Sequence, residues 1–229
     1  MKIPTEYSGL GLTMRSYGRA LLLIGSVHPA FGAMLSAHQS IGVPEPVKLV
    51  GTPEQKERFL PRCAAGAISA FLPTEPDAGS DPARMECTAT LTDDGTAYLV
   101  DGLTLRTTNR VVAELLAVMA RVPKHDGGRG GITAFVVEGD APGITVERRN
   151  AFMGLRGIEN GLTRLHQVRV PVENRLGKEG AKWSLKTARE WSTERGQCGR
   201  PTGVADRRRA RADPRWSRVR DRAVAGGAR

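Results

Sequence analysis

The sequence predicts an α+β fold in which N-terminal helices lead into an antiparallel β-domain and the chain then returns to helix. Three observations predict it. Between Thr13 and Leu60, apolar residues recur at helical spacing behind residues that start helices. After Ala64 the texture changes to short apolar or alternating runs divided by turn residues. Two of those runs flank Asp93-Asp94-Gly95, which fits a tight hairpin.

Residues 1–12 read as a loop. Gly9 and Gly11 are no dinucleotide loop, because no strand precedes them and a correctly spaced third glycine is absent. Thr13 is the N-cap of a helix to about Val27, with Met14, Tyr17, Leu21 and Ile24 on one face. Pro29 opens a second helix carrying Phe31, Met34, Leu35 and Ile41. Thr52, Pro53 and Gln55 form a capping box for a third, which runs to about Leu60 and is stopped by Pro61. Strands are expected at 67–72, 86–92, 96–100, 115–122, 132–138, 144–149 and 163–170. The glycine-rich run Gly127–Gly131 has no helix after it, so it reads as a flexible hairpin loop rather than a phosphate loop. Residues 181–195 return to helix, with Trp183, Ala188 and Trp191 on its apolar side. Residues 203–229 contain no Leu, Ile or Phe and no apolar stripe, so disorder is expected there.

The 229 residues carry a net charge of +10, but nine Arg and three Asp lie in residues 203–229. The basic balance is therefore largely a property of the tail. With one Trp and no interleaved aromatics, that tail supports at most salt-sensitive, non-specific nucleic-acid binding. Cys63, Cys87 and Cys198 form no CxxC pair, and the odd count without a secretory signal points to the reducing cytoplasm. Four scattered histidines make no zinc constellation, and His166 reads as a surface or packing residue. The apolar run from Ala20 to Val27 is too short to cross a bilayer.

The stretch richest in chemistry is Thr74-Glu75-Pro76-Asp77-Ala78-Gly79-Ser80-Asp81. Thr74 and Ser80 offer hydroxyls, Gly79 lets a backbone approach a ligand closely, and Pro76 with Gly79 sets a turn. In this order the residues resemble the flavin-binding segment of the acyl-CoA dehydrogenase family. The resemblance continues through Lys2–Leu12, Gly51–Lys56, Thr108-Asn109, Thr133–Glu138, Met153–Gly157 and Val168–Pro171, in family order, across residues 1 to about 202. It implies FAD as cofactor, an acyl-CoA thioester as substrate and α,β-desaturation as the reaction. A carboxylate removes the α-proton while the β-hydrogen leaves as hydride, and the two need alignment over the flavin. It also implies a partial N-terminal helical domain (1–64), a family-type middle β-domain (65–177), a remnant of the C-terminal helical domain (178–202) and the tail. Carried over by motif, Phe71, Thr74, Gly79, Ser80, Thr108 and Arg195 are cofactor-binding. Thr74 faces the flavin's pyrimidine side, Thr108 its N5, and Ser80 the pyrophosphate or the substrate's CoA. Arg195 resembles the arginine that reaches a neighbouring subunit's FAD phosphates in the family's homo-oligomers.

Four departures set this chain apart. Arg106 and Thr107 stand where the family has an aromatic and an apolar residue. Pro73 precedes Thr74, removing an N–H that a strand ladder would use. The Gly177–Gly180 region runs directly into Ala181-Lys182-Trp183, without the family's intervening CoA-contacting helix. The further C-terminal helices, with the catalytic carboxylate and the assembly core, are missing, as are helices before Ile3. Asp206, Asp213 and Asp221 match no motif, and no residue is assigned as base. The tail's composition suits an out-of-frame extension, so another reading frame of the locus after Gly203 is expected to restore family-like helices. Two functions follow: an acyl-CoA dehydrogenase by family, impaired in this chain, or a non-catalytic module that binds flavin or partner subunits.

Overall fold

The computed structural model describes residues 1–79 and 81–180. Four helices come first: α1 (Met14–Val27), α2 (Pro29–Ser40), α3 (Pro44–Val50) and α4 (Pro53–Ala65). Thr13 caps α1 by accepting the Ser16 N–H, and Thr52 and Gln55 close a reciprocal capping box on α4. Both follow from side-chain oxygens meeting the free N–H groups of a first turn. Pro61 does not stop α4, which continues to Ala65. A proline inside a helix costs about 3 kcal/mol, whereas each fully buried large apolar side chain gains about 1.5–3 kcal/mol. Phe59, Leu60 and Cys63 are all buried, so packing outweighs the lost hydrogen bond. Helix α3 was not among the elements expected from the sequence; it begins at Pro44 and keeps Pro44 and Pro46 in its first turn.

The expected apolar face of α1 is only partly buried. Tyr17 is enclosed, Leu21 and Ile24 are half-buried, and Met14 is exposed. On α2, Phe31 is exposed, and Ile41 just after it likewise.

Among the described residues, eight strands form one sheet: β1 (Ser69–Leu72), β2 (Thr88–Leu91), β3 (Ala97–Thr107), β4 (Leu115–Val122), β5 (Gly131–Glu138), β6 (Ile144–Arg149), β7 (Gly161–Pro171) and β8 (Arg175–Leu176). The order is β6-β7-β3-β2-β4-β5-β8, with β1 on β4. Pairing is antiparallel except for β1 with β4 and a single β2–β4 pair, which are parallel. The Asp93-Asp94-Gly95 turn joins β2 to β3; Gly95 has φ +66°, and Asp94 accepts from the Thr92 hydroxyl and the Thr96 N–H. Gly127–Gly130 lie in the β4–β5 hairpin loop and Gly131 begins β5; within the loop His125 and Gly128 exchange backbone hydrogen bonds.

Strand β4 explains the layering. Leu116, Val118, Ala120 and Val122 join a core with residues of β1, β2, β3, β5 and β7, so the sheet curls around that cluster. On its other face Leu115 and Ala117 join Val43, Val47, Phe59 and Leu60 of the helical layer. Burial on both faces is why β4 reads as a nearly continuous apolar run. Strand β3 extends seven residues past its expected end at Val100. Ladder irregularities after Val100 and Thr104 break the alternation that the sequence reading relied on. Gly102 sits at the first of them, where a Cβ would stand 2.0 Å from the Cys87 sulfur.

Candidate functional site

The flavin-type segment leaves the C-terminal end of β1, and the Thr108-Asn109 turn leaves the C-terminal end of β3. One hydrogen bond joins them: the Leu105 N–H donates to the Thr74 carbonyl at 2.8 Å. Glu75 braces the loop from below. It is buried, and its two oxygens accept the backbone N–H groups of Glu86 (2.6 Å) and Cys87 (2.9 Å). Its own N–H donates to the Ala78 carbonyl, closing the Pro76–Asp77 turn. Glu75 is thus a structural acid. Pro73 follows the last β1 residue paired with β4, so the pairing at Ser69–Leu72 is complete without its N–H.

Asn109 anchors the second segment. It is buried at φ +68°, and its amide donates to the carbonyls of Met34 on α2 and Ser69 on β1. Ser69 in turn meets His38: the Ser69 N–H reaches His38 Nδ1 at 3.1 Å and its hydroxyl lies 2.8 Å from the same nitrogen. Accepting at Nδ1 keeps the ring neutral, and burial pushes its pKa down to about 4. The Thr108 hydroxyl is half-buried and accepts a long 3.4 Å contact from the Asn160 amide, whose main partner is the Arg106 carbonyl at 2.7 Å. Asn150 donates to Asn160 Oδ1 at 2.8 Å.

Of the residues assigned to the cofactor, Thr74 and Thr108 are brought to adjoining strand ends. Gly79 is exposed, and a Cβ there would meet no other atom within 4 Å. Phe71 is half-buried and packs against the helix-facing cluster. Arg106 is exposed at φ +55°. Ser80, Arg195, the expected 181–195 helix and the tail lie outside the described residues. The sequence reading missed Asn160 and Asn150. Their only cue was a pair of asparagines flanking a glycine-containing loop, which is ordinary turn composition.

Among the described residues, no group of His, Cys, Asp and Glu could hold a metal, and no helix is long and apolar enough to cross a membrane. Cys63 and Cys87 are free and buried, and burial pushes the Cys63 thiol up to about 12, far from a reactive thiolate.

Residues 1–67 match the model of the acyl-CoA dehydrogenase N-terminal domain, and residues 70–168 that of the acyl-CoA dehydrogenase middle domain. The chain belongs to the acyl-CoA dehydrogenase family. It is 62% identical over 227 residues to the probable acyl-CoA dehydrogenase FadE10 of Mycobacterium tuberculosis, with 89% of this chain and 35% of that protein covered. It is 37% identical to the human mitochondrial very long-chain specific acyl-CoA dehydrogenase, covering 79% of this chain and 28% of that one. The chain thus spans about a third of the length of the curated relatives it matches. Among solved structures, an acyl-CoA dehydrogenase of Bacillus anthracis complexed with FAD superposes with a TM-score of 0.74 at 32% identity, covering 82% of this chain and 31% of that one. The butyryl-CoA dehydrogenase of Megasphaera elsdenii gives 0.73 at 32% identity, covering 80% and 48%.

Proposed function

We propose that this chain is the flavin-holding portion of an FAD-dependent acyl-CoA dehydrogenase of the cytoplasm, and that alone it does not turn over. The observation that carries the reading is the Thr74–Leu105 hydrogen bond, which sets two hydroxyl-bearing motifs side by side at two strand ends. Residues 65–177 form the holding domain, 1–64 and 178–202 are parts of the flanking helical domains, and 203–229 are an appended tail. Thr74 and Thr108 would hold the flavin ring, Gly79 and Ser80 its diphosphate side, and Arg195 a neighbouring subunit's cofactor. The open space over Gly79 and the half-buried Thr108 hydroxyl suit such a group. When bound, FAD supplies a hydride acceptor for the β-carbon of an acyl-CoA.

The chain's own contribution is positioning. Glu75 holds the first loop, and Asn109 and Asn160 hold the second, so the backbone that carries each hydroxyl is already in place. Among the described residues no acid is assigned as the base. Both oxygens of Glu75 are committed to backbone N–H groups, and Glu159 is committed to Arg149. A positioned base typically contributes about 10²–10⁴-fold.

The test is gel filtration of the chain with excess FAD, a visible spectrum of the protein peak, then anaerobic bleaching with acyl-CoAs of several lengths. Weak flavin retention and no bleaching above that of free FAD are expected. Stoichiometric yellow protein that bleaches, and ceases to in Thr108→Val, would overturn the inactive reading. Retained flavin without bleaching would favour a flavin- or subunit-binding module, the reading that exposed Arg106 in place of an aromatic wall supports.

A further inference from the structure

The glycine-rich loop between β4 and β5 is not free: it lies against the segment that follows β8. The Arg129 guanidinium donates to the carbonyls of Glu179 at 3.2 Å and Gly180 at 3.0 Å. The Gly180 N–H returns to the Thr133 hydroxyl on β5 at 3.1 Å. The two backbones meet so closely that a Cβ on Gly180 would stand 2.2 Å from the Gly130 carbonyl oxygen. The contact holds the chain at the point where it passes on to residue 181.

His125 stands at the centre of this contact. Its Nε2 lies 3.1 and 3.2 Å from the two Glu179 carboxylate oxygens, and its Nδ1 lies 3.0 Å from the Asp126 carbonyl. Carboxylate and carbonyl oxygens only accept, so both ring nitrogens must donate, and the arrangement requires an imidazolium. Glu179, from the segment after β8, and Asp126, from the loop itself, favour that cation. Arg175 of β8 is a like charge, but it is engaged with Glu179 Oε1 at 3.2 Å and with the Tyr98 hydroxyl at 2.9 Å. Tyr98 of β3 donates to Glu179, and Arg129 is turned to the two carbonyls. Loss of either ring proton leaves a lone pair facing an acceptor, whichever tautomer results. Glu179 would keep Tyr98 and Arg175, so the loop, and not the β8 segment, is what comes away. The hydrogen bond to Glu179 raises the His125 pKa above its ordinary 6.5, so the change falls on the alkaline side of that value.

We propose that the glycine-rich hairpin loop is a pH-operated clasp, which grips the backbone at Glu179–Gly180 while His125 is an imidazolium and releases it when the ring loses a proton. The clasp is independent of any flavin chemistry at Thr74 and Thr108. Gly128 is what lets it close: a Cβ there would stand 2.2 Å from His125 Nε2 and 2.4 Å from Glu179 Oε2.

Amide hydrogen exchange of the full chain, corrected for its intrinsic pH dependence, tests the clasp alongside an NMR titration of the His125 ring. The Gly128 and Gly180 N–H groups should lose protection about five-fold or more between about pH 6 and 9, with a midpoint at the His125 titration, above about 6.5. The β4–β5 ladder amides should stay protected throughout, which separates opening of the clasp from unfolding. His125→Gln should abolish the transition, whereas His166→Gln, which removes an exposed histidine on β7, should leave it in place. Gly128→Ala should hold the clasp open at every pH in the range, because its methyl group can be accommodated only by parting His125 from Glu179. Protection at Gly180 that is flat across the range, a transition that survives in His125→Gln, wild-type protection in Gly128→Ala, or loss of the ladder amides together with Gly180 would overturn the proposal.

Discussion

The two ends of the sheet treat their buried polar groups in opposite ways. Near β8, Glu179 is enclosed by partners from three elements: the Tyr98 hydroxyl at 2.5 Å, His125 Nε2 at 3.1 Å and the Arg175 guanidinium at 3.2 Å. Thr133 is also satisfied, donating to the Gly131 carbonyl and accepting the Gly180 N–H. Near the β3–β6 bulges, the hydroxyls of Thr104, Thr107 and Thr163 are buried without partners, as are Asn109 Oδ1 and Arg110 Nε. Folded proteins leave few buried polar groups unpaired. The first end is closed by this chain's own atoms. The second leaves these groups without partners among the described residues, and it is the end that carries Thr108, Arg106 and Arg148.

The largest expected effect breaks the closed end. Glu179→Ala leaves the Tyr98 hydroxyl, His125 and Arg175 facing one another, which should cost about 3 kcal/mol in denaturant unfolding. Tyr98→Phe removes one hydrogen bond and should cost only about 1 kcal/mol. A loss below about 1 kcal/mol for Glu179→Ala would mean that the network is not closed as drawn.

Two histidines extend the contrast to pH, with opposite signs. His38 titrates at about 4 when folded and near 6.5 when unfolded, so the unfolded chain binds more protons between those values. Its stability contribution is complete above about pH 6.5 and is lost as pH falls toward 4, by up to roughly 3 kcal/mol. His125 behaves inversely. Its hydrogen bond to Glu179 raises its pKa, so its contribution is complete below pH 6.5 and is lost as pH rises through the raised value. Burial pushes the Glu179 carboxyl up, but hydrogen bonds from Tyr98 and His125 more than reverse this, and it titrates below its usual value. Stability measured from pH 4 to 8 should therefore fall on the acid side in the wild type. It should flatten there in His38→Asn, whose amide oxygen can accept the Ser69 N–H. An unchanged acid slope in that variant would remove His38 from the account.

Much of this was legible in the sequence. Thr13, Thr52 and Gln55 announce helix starts because capping is local chemistry, and β4 matches its expected limits because burial on both faces writes a continuous apolar run. The Thr74–Asp81 turn was legible from its residue order. The end of β3 was not legible: bulges shift the alternation, so Arg106 looked like loop. Nor was continuation through Pro61, because buried neighbours decide it. Asn160 meets the Arg106 carbonyl, His38 meets Ser69 and Glu179 meets Tyr98 across 54, 31 and 81 residues, and no local pattern encodes those meetings.

The smallest effect gives the sharpest comparison. Thr104 and Thr133 are both fully buried threonines on strands of this sheet. Valine keeps the shape and removes only the hydroxyl. Thr133→Val deletes a donor to Gly131 and leaves the Gly180 N–H unpaired, so it should destabilise by about 1 kcal/mol. Thr104→Val deletes a hydroxyl that the chain itself leaves unpaired, so it should be neutral or stabilise by up to about 1 kcal/mol. Thermal unfolding of both variants decides the matter by sign. If Thr104→Val costs as much as Thr133→Val, its hydroxyl has a partner within the chain, and the bulged end is as closed as the other.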